Sequence, residues 1–337
     1  MRAVISGIGH YLPPDEVRNE DLPVSLNTNS DWIVKRTGIR SRRYVTGRVY
    51  TSDLATLAAK AAIADAAIDA SSIDCIIAAT LSPDYFFPGI GVYVQAKLGI
   101  PSIPAYDIRN QCSGFLYSLE MARAFVVAGV YRTVLVVCAE IHSHGLGQTE
   151  PHRHVTPLFG DGAAAVIVSA PECAVGPRFD VDYVRVYADG TGADALRFRL
   201  FDMSVSPILD WQQVCSSPDE MQFPEMDGQR VFRAAVVGMT KAAQEALDAL
   251  GLTIDDVAWC LPHQANINIV HSVSLALKLP EERLRNNIDR VGNTTAASIP
   301  LLLSECVEAR TFKPADRILL VAFGSGFTWG AAVLRAR

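Results

Sequence analysis

The chain has 337 residues, half of them apolar and a fifth charged, with a net charge of −6 and an isoelectric point near 5.7. That length suggests about two domain-sized units with ample material for buried cores, and the acidic balance excludes the basic face of a nucleic-acid binder. No apolar run approaches the roughly 20 residues that span a bilayer, so neither nucleic acid nor membrane is an expected partner.

The N-terminus, Met1-Arg-Ala-Val-Ile-Ser-Gly-Ile-Gly9, reads as a strand and a glycine turn. It lacks the charged region, long apolar core and cleavage site of an export signal, so a cytosolic location is expected. A helix over Leu57–Ile68 runs through Ser71-Ser-Ile-Asp74 into the apolar strand Cys75–Thr80. An extended run at 104–108 leads to Cys112, which opens a helix with Phe115, Leu116, Leu119, Ala122 and Val126 on one stripe. Phe159-Gly-Asp-Gly162 then turns into the strand Ala163–Val168.

The second half repeats this order. A helix over Thr240–Gly251 passes through Thr253-Ile-Asp-Asp256 into the strand Val257–Leu261. Ile288-Asp289-Arg-Val-Gly-Asn293 begins another small-residue helix, and Phe323-Gly-Ser-Gly326 turns into Ala331–Leu334. Asp74 and Asp256 are 182 apart, as are Asp107 and Asp289. Four matches in one order read as a duplication, with halves at 1–170 and 171–337 and an insertion around 188–226. Apolar strands alternating with amphipathic helices predict an α/β fold whose mostly parallel sheet is covered on both faces. The halves should pack around shared central helices, bringing the helix starts at Cys112 and Asn293 together. Asp107 and Asp289 read as structural, at the turns entering those helices.

Cysteines stand at 75, 112, 138, 173, 215, 260 and 306. An odd number with no CxxC or Cys/His ligand spacing fits neither a disulfide framework nor a zinc site, and no metal is expected. Cys75, Cys138 and Cys260 sit in apolar runs as small hydrophobes. At a helix start, Cys112 feels the positive end of the dipole, which should lower its pKa from about 8.5. The neighbouring N–H groups face any oxyanion formed on an attacked carbonyl.

Three further groups accompany it. His263, in Pro262-His-Gln-Ala-Asn266, follows a strand's C-terminal end, where parallel-sheet proteins place ligands. Asn293 stands at a helix start, and by itself would pass as a cap. Gly324-Ser-Gly326 is a turn whose flexible backbone can aim N–H groups at a ligand. Each has an ordinary structural reading alone; together they describe one reaction. Cys112 attacks a thioester, and His263 Nε2 and the Asn293 amide then donate to a second thioester's carbonyl, stabilising the enolate left by loss of CO₂.

With these residues the sequence resembles the β-ketoacyl-acyl-carrier-protein synthase III family of the thiolase fold, essentially end to end. The most specific strings are Thr28-Asn-Ser-Asp-Trp32-Ile-Val-Lys-Arg36-Thr-Gly, Cys112-Ser-Gly-Phe, Phe159-Gly-Asp-Gly, Pro262-His263-Gln-Ala-Asn266, Gly292-Asn293-Thr-Thr-Ala-Ala-Ser and Phe323-Gly-Ser-Gly-Phe-Thr-Trp-Gly. The resemblance implies two βαβαβαββ halves in a layered αβαβα sandwich, and a homodimer. It implies Cys112 as acyl nucleophile, His263 and Asn293 as the decarboxylation site, and the Cys112 and Ser325 N–H groups as an oxyanion hole. Trp32 and Arg153 would flank the adenine of coenzyme A, with Thr28, Arg36, Gly228 and Asn266 along the nucleotide and pantetheine path. Phe87, reaching across the dimer interface, and Phe323 would line an acyl pocket. The partners implied are an acyl-CoA and either malonyl-CoA or a malonyl acyl carrier protein, with no cofactor beyond the coenzyme A thioester.

Two features depart from the pattern. The helix after His263 has no Arg or Lys until Lys278, leaving Arg230 and Arg233 as anchors for an acidic carrier and making malonyl-CoA a competitor. The 188–226 stretch carries Phe198, Phe201, Trp211 and Phe223, apolar weight suited to capping an acyl channel. Thr80-Leu-Ser-Pro-Asp-Tyr-Phe-Phe87 and Arg109-Asn-Gln-Cys112 also resemble a secondary-metabolism subgroup that makes alkylquinolones from aroyl thioesters, so an acyl group larger than acetyl is expected. The competing reading is acyl or aroyl transfer from CoA to an acceptor other than a carrier protein. A non-catalytic subunit would lack Cys112, and a thiolase would need a second cysteine in Phe323–Trp329, which has none.

Overall fold

The computed structural model describes residues 2–198, 203–204, 210, 212 and 223–337. The elements that build the core are β1 (Val4–Tyr11), α1 (Ser30–Thr37), α2 (Thr51–Ala66), α3 (Ile90–Leu98) and α4 (Gly114–Val127). β2 (Asp15–Arg18) and β3 (Ser41–Tyr44) form a separate ribbon. The strands β4 (Cys75–Ala79), β5 (Ala105–Ile108), β6 (Thr133–Glu140), β7 (Gly162–Ser169) and β8 (Phe179–Ala188) follow.

A short ribbon pairs β9 (Leu196–Arg197) with β10 (Glu225–Met226), so the two ends of the 188–226 stretch meet. Phe201, Trp211 and Cys215 lie outside the described residues. The chain continues through α5 (Gly228–Leu250), β11 (Trp259–Pro262), α6 (Ile267–Leu277), α7 (Ile288–Val291), α8 (Ser298–Glu308), β12 (Arg317–Gly324) and β13 (Thr328–Ala336).

Nine strands run in the order β11-β12-β13-β8-β1-β7-β6-β4-β5. The join between β8 and β1 rests on just two residue pairs, Val4 with Asp180 and Ile5 with Phe179. It separates a β5-β4-β6-β7-β1 sheet from a β8-β13-β12-β11 sheet. Periodicity predicted mostly parallel pairing, and here the structure differs. β4–β5, β4–β6 and β11–β12 are parallel, whereas β6–β7, β1–β7, β12–β13, β13–β8 and β1–β8 are antiparallel. For β12–β13 the reason is local: the tight glycine turn between Gly324 and Thr328 returns the chain beside itself and can only join antiparallel strands.

Both faces of β4, β6, β7 and β12 are buried, which explains their largely unbroken apolar sequences. Cys75, Ile77 and Ala79 of β4 face the core shared with Phe115, Leu116 and Leu119 of α4 and Ile299, Leu302 and Leu303 of α8. The alternate residues Ile76 and Ala78 face α2 and α3. In β12, Ile318, Leu320 and Ala322 face the same shared core, and Leu319, Val321 and Phe323 face α5 and α6. The layers are therefore α2/α3, sheet, α4/α8, sheet, α5/α6. α2 lies close on β1 because Gly7 and Gly9 have no side chain: a Cβ at either would fall 2.4–2.5 Å from Ala61, Ala62 or Ala66 atoms. Among the described residues no helix is long and apolar enough to cross a membrane.

Candidate active site

The starts of α4 and α8 share one unusual backbone. Asn110 (φ −103, ψ 28) and Gln111 (φ 42) precede α4; Thr294 (φ −98, ψ 26) and Thr295 (φ 49) precede α8. These turns are 184 residues apart rather than 182. Cys112 thus corresponds to Ala296, and Asn293 to Arg109, correcting the expected match between Cys112 and Asn293. The extra two residues arise where Asp107 lies in strand β5 while Asp289 lies in the single-turn helix α7. Gly114 lets the two starts abut, since a Cβ there would lie 3.2 Å from the Ala296 Cβ.

Cys112 stands in a 3₁₀ turn, Gln111–Ser113, one step before α4. The C-terminal turn closes over it: a Cβ at Gly324 would sit 3.1 Å from the Cys112 nitrogen and 3.2 Å from that of Ser113. Ser113 Oγ and Thr328 Oγ1 are 2.7 Å apart, and Thr328 Oγ1 donates to the Ser325 carbonyl at 3.0 Å. Residues 324–328 and the nucleophile's turn are thereby fastened together.

The expected low pKa of Cys112 is not what the surroundings produce. Burial pushes the thiol up to about 12, and the neighbouring Glu140 carboxylate adds to this. Desolvation outweighs the short turn's dipole. Glu140 is fully buried, and burial raises it to about 7 against four hydrogen-bond donors: Leu81 N, Ser82 N, Ser82 Oγ and Thr80 Oγ1. It anchors the string that leads to Phe87, which is itself 78% exposed.

His263 follows β11 and is 1% exposed. Its Nδ1 lies 2.6 Å from Ser298 Oγ, at the first residue of α8. Its Nε2 is buried and has no hydrogen-bond partner among the described residues. Burial lowers its pKa to about 3, so the ring is neutral. Asn293 is 5% exposed, and its Oδ1 accepts from Thr295 N at 2.8 Å, leaving Nδ2 without a hydrogen bond among the described residues. The loop bearing Phe159-Gly-Asp-Gly162 holds this residue, with Asn293 N donating to the Leu158 carbonyl and Gly160 N to the Asn293 carbonyl. Asp161 accepts from the N–H groups of His142, Ser143 and Val45.

Farther along, two guanidiniums lie over the Trp32 ring, Arg36 at 4.2 Å and Arg153 at 4.8 Å from its centroid. Thr28 Oγ1 and Arg153 Nε are buried without a hydrogen-bond partner among the described residues. Asn266 caps α6 through Asn268 N, and its Nδ2 donates to the Arg36 carbonyl at 2.9 Å. Its amide therefore locks α1 to α6 rather than projecting freely. Gly228, the first residue of α5, is exposed, and among the described residues nothing lies within 4 Å of its Cβ position. Phe323 is buried between Phe327 and Trp329 beneath α5. Phe223 packs at a tilt against His152, 4.0 Å between centroids, beside Arg153, whereas Phe198 is 47% exposed.

Ser298 and Thr295 lay inside a string already singled out, but nothing in the sequence marked their partners. His142 and the fully buried Arg42, which bonds Asn19 and the Val17 and Pro157 carbonyls, carried no signal.

Two family models match this chain, 3-oxoacyl-[acyl-carrier-protein] synthase III over residues 106–190 and its C-terminal region over 247–336. Together they span the Cys112, His263 and Asn293 strings. A β-ketoacyl-[acyl-carrier-protein] synthase III of Rhodospirillum centenum is 42% identical over 99% of both chains.

The chain belongs to the β-ketoacyl-[acyl-carrier-protein] synthase III family.

A second relative, synthase III 2 of Vibrio cholerae, is 40% identical over 99% of this chain and 88% of its own. The crystal structure of the Aquifex aeolicus synthase III superposes with a TM-score of 0.87 at 35% identity, covering 99% of each chain. The priming β-ketosynthase of the R1128 polyketide pathway gives the same TM-score at 30% identity, covering 99% of this chain and 97% of its own. This family member is thus a thiolase-fold acyltransferase, a ketosynthase of decarboxylative condensation.

Proposed function

We propose that Cys112 accepts an acyl group from an acyl-CoA and that His263 and Asn293 then direct decarboxylation of a malonyl thioester. The observation carrying this reading is His263 Nε2, a buried nitrogen with no partner among the described residues. Such a group is costly to leave unpaired, and a substrate carbonyl is the partner it suits. A Ser298 hydroxyl donating to Nδ1 leaves the proton on Nε2, where a neutral ring can offer it to that carbonyl. In the first half-reaction Sγ bonds to the acyl carbon, the C–S bond to CoA breaks, and the thiol proton leaves with CoA. In the second, C–C cleavage releases CO₂, and the enolate carbon attacks acyl-Cys112 to form the 3-oxoacyl thioester and free the cysteine. The N–H groups of Cys112 and Ser325 would receive the acyl oxyanion.

Coenzyme A would run past Trp32, Arg36 and Arg153, whose two cations suit its phosphates, with Thr28, Asn266 and Gly228 along the path. Arg153 lies over the Trp32 ring, so adenine would enter by displacing it. An acyl group larger than acetyl, a homodimer lending Phe87 to the partner's pocket, a cytosolic setting and Phe323 as a pocket wall complete the proposal. Likeness to a priming polyketide ketosynthase favours a secondary-metabolism variant of the same reading.

The extender could ride on CoA or on carrier protein. α6 exposes His271 and Leu275 but bears no Lys or Arg within its length. Arg230 already bonds the Thr191 carbonyl. This favours malonyl-CoA as a competent extender. Intact-mass spectrometry against a panel of acyl-CoAs tests the whole reading. An acyl increment on the wild type and none on Cys112→Ala is expected; a persistent increment on the variant would overturn it.

A further inference from the structure

A second histidine, half-buried, stands beside Asn293, and the reaction outlined above gives it no task. His142, just past β6, places Nε2 2.6 Å from Thr295 Oγ1. Thr295 in turn donates its backbone N–H to Asn293 Oδ1 at 2.8 Å. Thr295 itself has φ 49°, a left-handed conformation that is unusual for any side chain and an outlier for a β-branched one. Such a residue keeps this conformation only where its surroundings over-determine it. Gln111 adopts the same φ region at the start of α4, but it is unbranched.

His142 is itself held from two sides. Its N–H donates to Asp161 Oδ1 at 2.7 Å, and its ring lies against Phe159, 4.6 Å between centroids. Phe159 pairs with Asn293 as a parallel bridge, and Gly160 donates to the Asn293 carbonyl. His142, Phe159, Asp161 and the 293–295 turn therefore close into one ring of contacts. Burial lowers the His142 pKa to about 3, so the imidazole is neutral and can accept from the Thr295 hydroxyl.

We infer that His142 is a positioning residue for Asn293: by holding the Thr295 side chain it fixes this left-handed turn, and with it the backbone N–H that bonds the Asn293 carboxamide. The inference rests on Asn293 serving decarboxylation, as proposed above.

The test uses the full-length protein and follows two readouts: ¹⁴CO₂ release from labelled malonyl-CoA, with kcat and KM separated, and Cys112 acylation by intact mass. His142→Leu should lower kcat for CO₂ release about tenfold or more, since small misplacements of a donor are costly, while KM and acylation hold. His142→Gln, whose amide reaches the Nε2 position, should recover most of the loss. Thr295→Gly takes positive φ without a branched side chain, so adding His142→Leu to it should cost nothing further. Equal loss in both half-reactions, no recovery by glutamine, or additive losses in the double variant would each overturn the inference. The Thr295→Gly background keeps the test valid if His142→Leu alone folds poorly. Asn293→Ala separates the two readings: normal CO₂ release would sink both, whereas an inactive Asn293→Ala beside an unaffected His142→Leu would sink this one alone.

Discussion

Ser298 Oγ lies 2.6 Å from His263 Nδ1, so the helix that follows Asn293 also orients the histidine. With the Ser298 hydroxyl as donor, the contact would leave the ring proton on Nε2. Ser298→Ala should therefore lower CO₂ release about tenfold or more by freeing the wrong tautomer, an effect known to be large where a histidine's partner is altered. Ser298→Thr, which keeps the hydroxyl, should stay close to the wild type. Malonyl-CoA decarboxylation measured on acyl-enzyme checks this, and an unchanged Ser298→Ala rate would remove the serine from the mechanism.

The two half-reactions should separate genetically. His263→Ala and Asn293→Ala are each expected to lose about 10²–10³ in decarboxylation, the usual loss for one oxyanion donor, while Cys112 is still acylated. Intact mass and ¹⁴CO₂ release on the same preparations report both steps. Variants that fail at acylation yet decarboxylate normally would reverse the assignment.

Malonyl-CoA should compete with malonyl carrier protein as extender. Each exposed charge pair is worth only about 0–1 kcal/mol, but the absence of several on α6 leaves an acidic carrier little to grip. The check is kcat/KM for both extenders at low and moderate salt. A carrier preference above about a hundredfold that collapses with salt would reveal a basic docking patch elsewhere.

Acid should destabilise the protein through its neutral histidines. The folded-state pKa values of His142 and His263 are lowered to about 3 from 6.5, so below 6.5 the unfolded chain binds protons the native state refuses. Each group then contributes a slope of up to about 1.4 kcal/mol per pH unit, with stability falling as pH drops from 6.5 toward 3. Glu140 acts in the opposite sense: raised to about 7 from 4.5, it costs stability as pH rises through that interval. The two histidines outweigh it between 4.5 and 6.5. Denaturant midpoints across pH 4–7 test this, and His142→Leu should flatten the acid limb.

The layered architecture and the four site strings were legible because burial on both faces leaves unbroken apolar strands, and glycines mark the turns between them. Strand direction was less legible: apolar runs look alike whether the next strand returns beside them or crosses over. The cysteine's pKa was misread because position at a helix start is visible in sequence, whereas enclosure beside Glu140 comes from β6, 28 residues downstream. His142 escaped notice for the same reason, since its meaning lies in Thr295, 153 positions away. Asn266 was expected along the coenzyme A path, and nothing in the sequence marked it as the clasp on the Arg36 carbonyl.

The matched turns before α4 and α8 have a consequence for stoichiometry. The fold offers two corners of the same backbone shape, but only one carries sulfur, because Ala296 stands where the other has Cys112. The alanine methyl instead packs toward Gly114 and lets the nucleophile's helix approach. One corner has become the wall of the other. A polypeptide built this way should saturate at a single acyl equivalent, however large the excess of thioester.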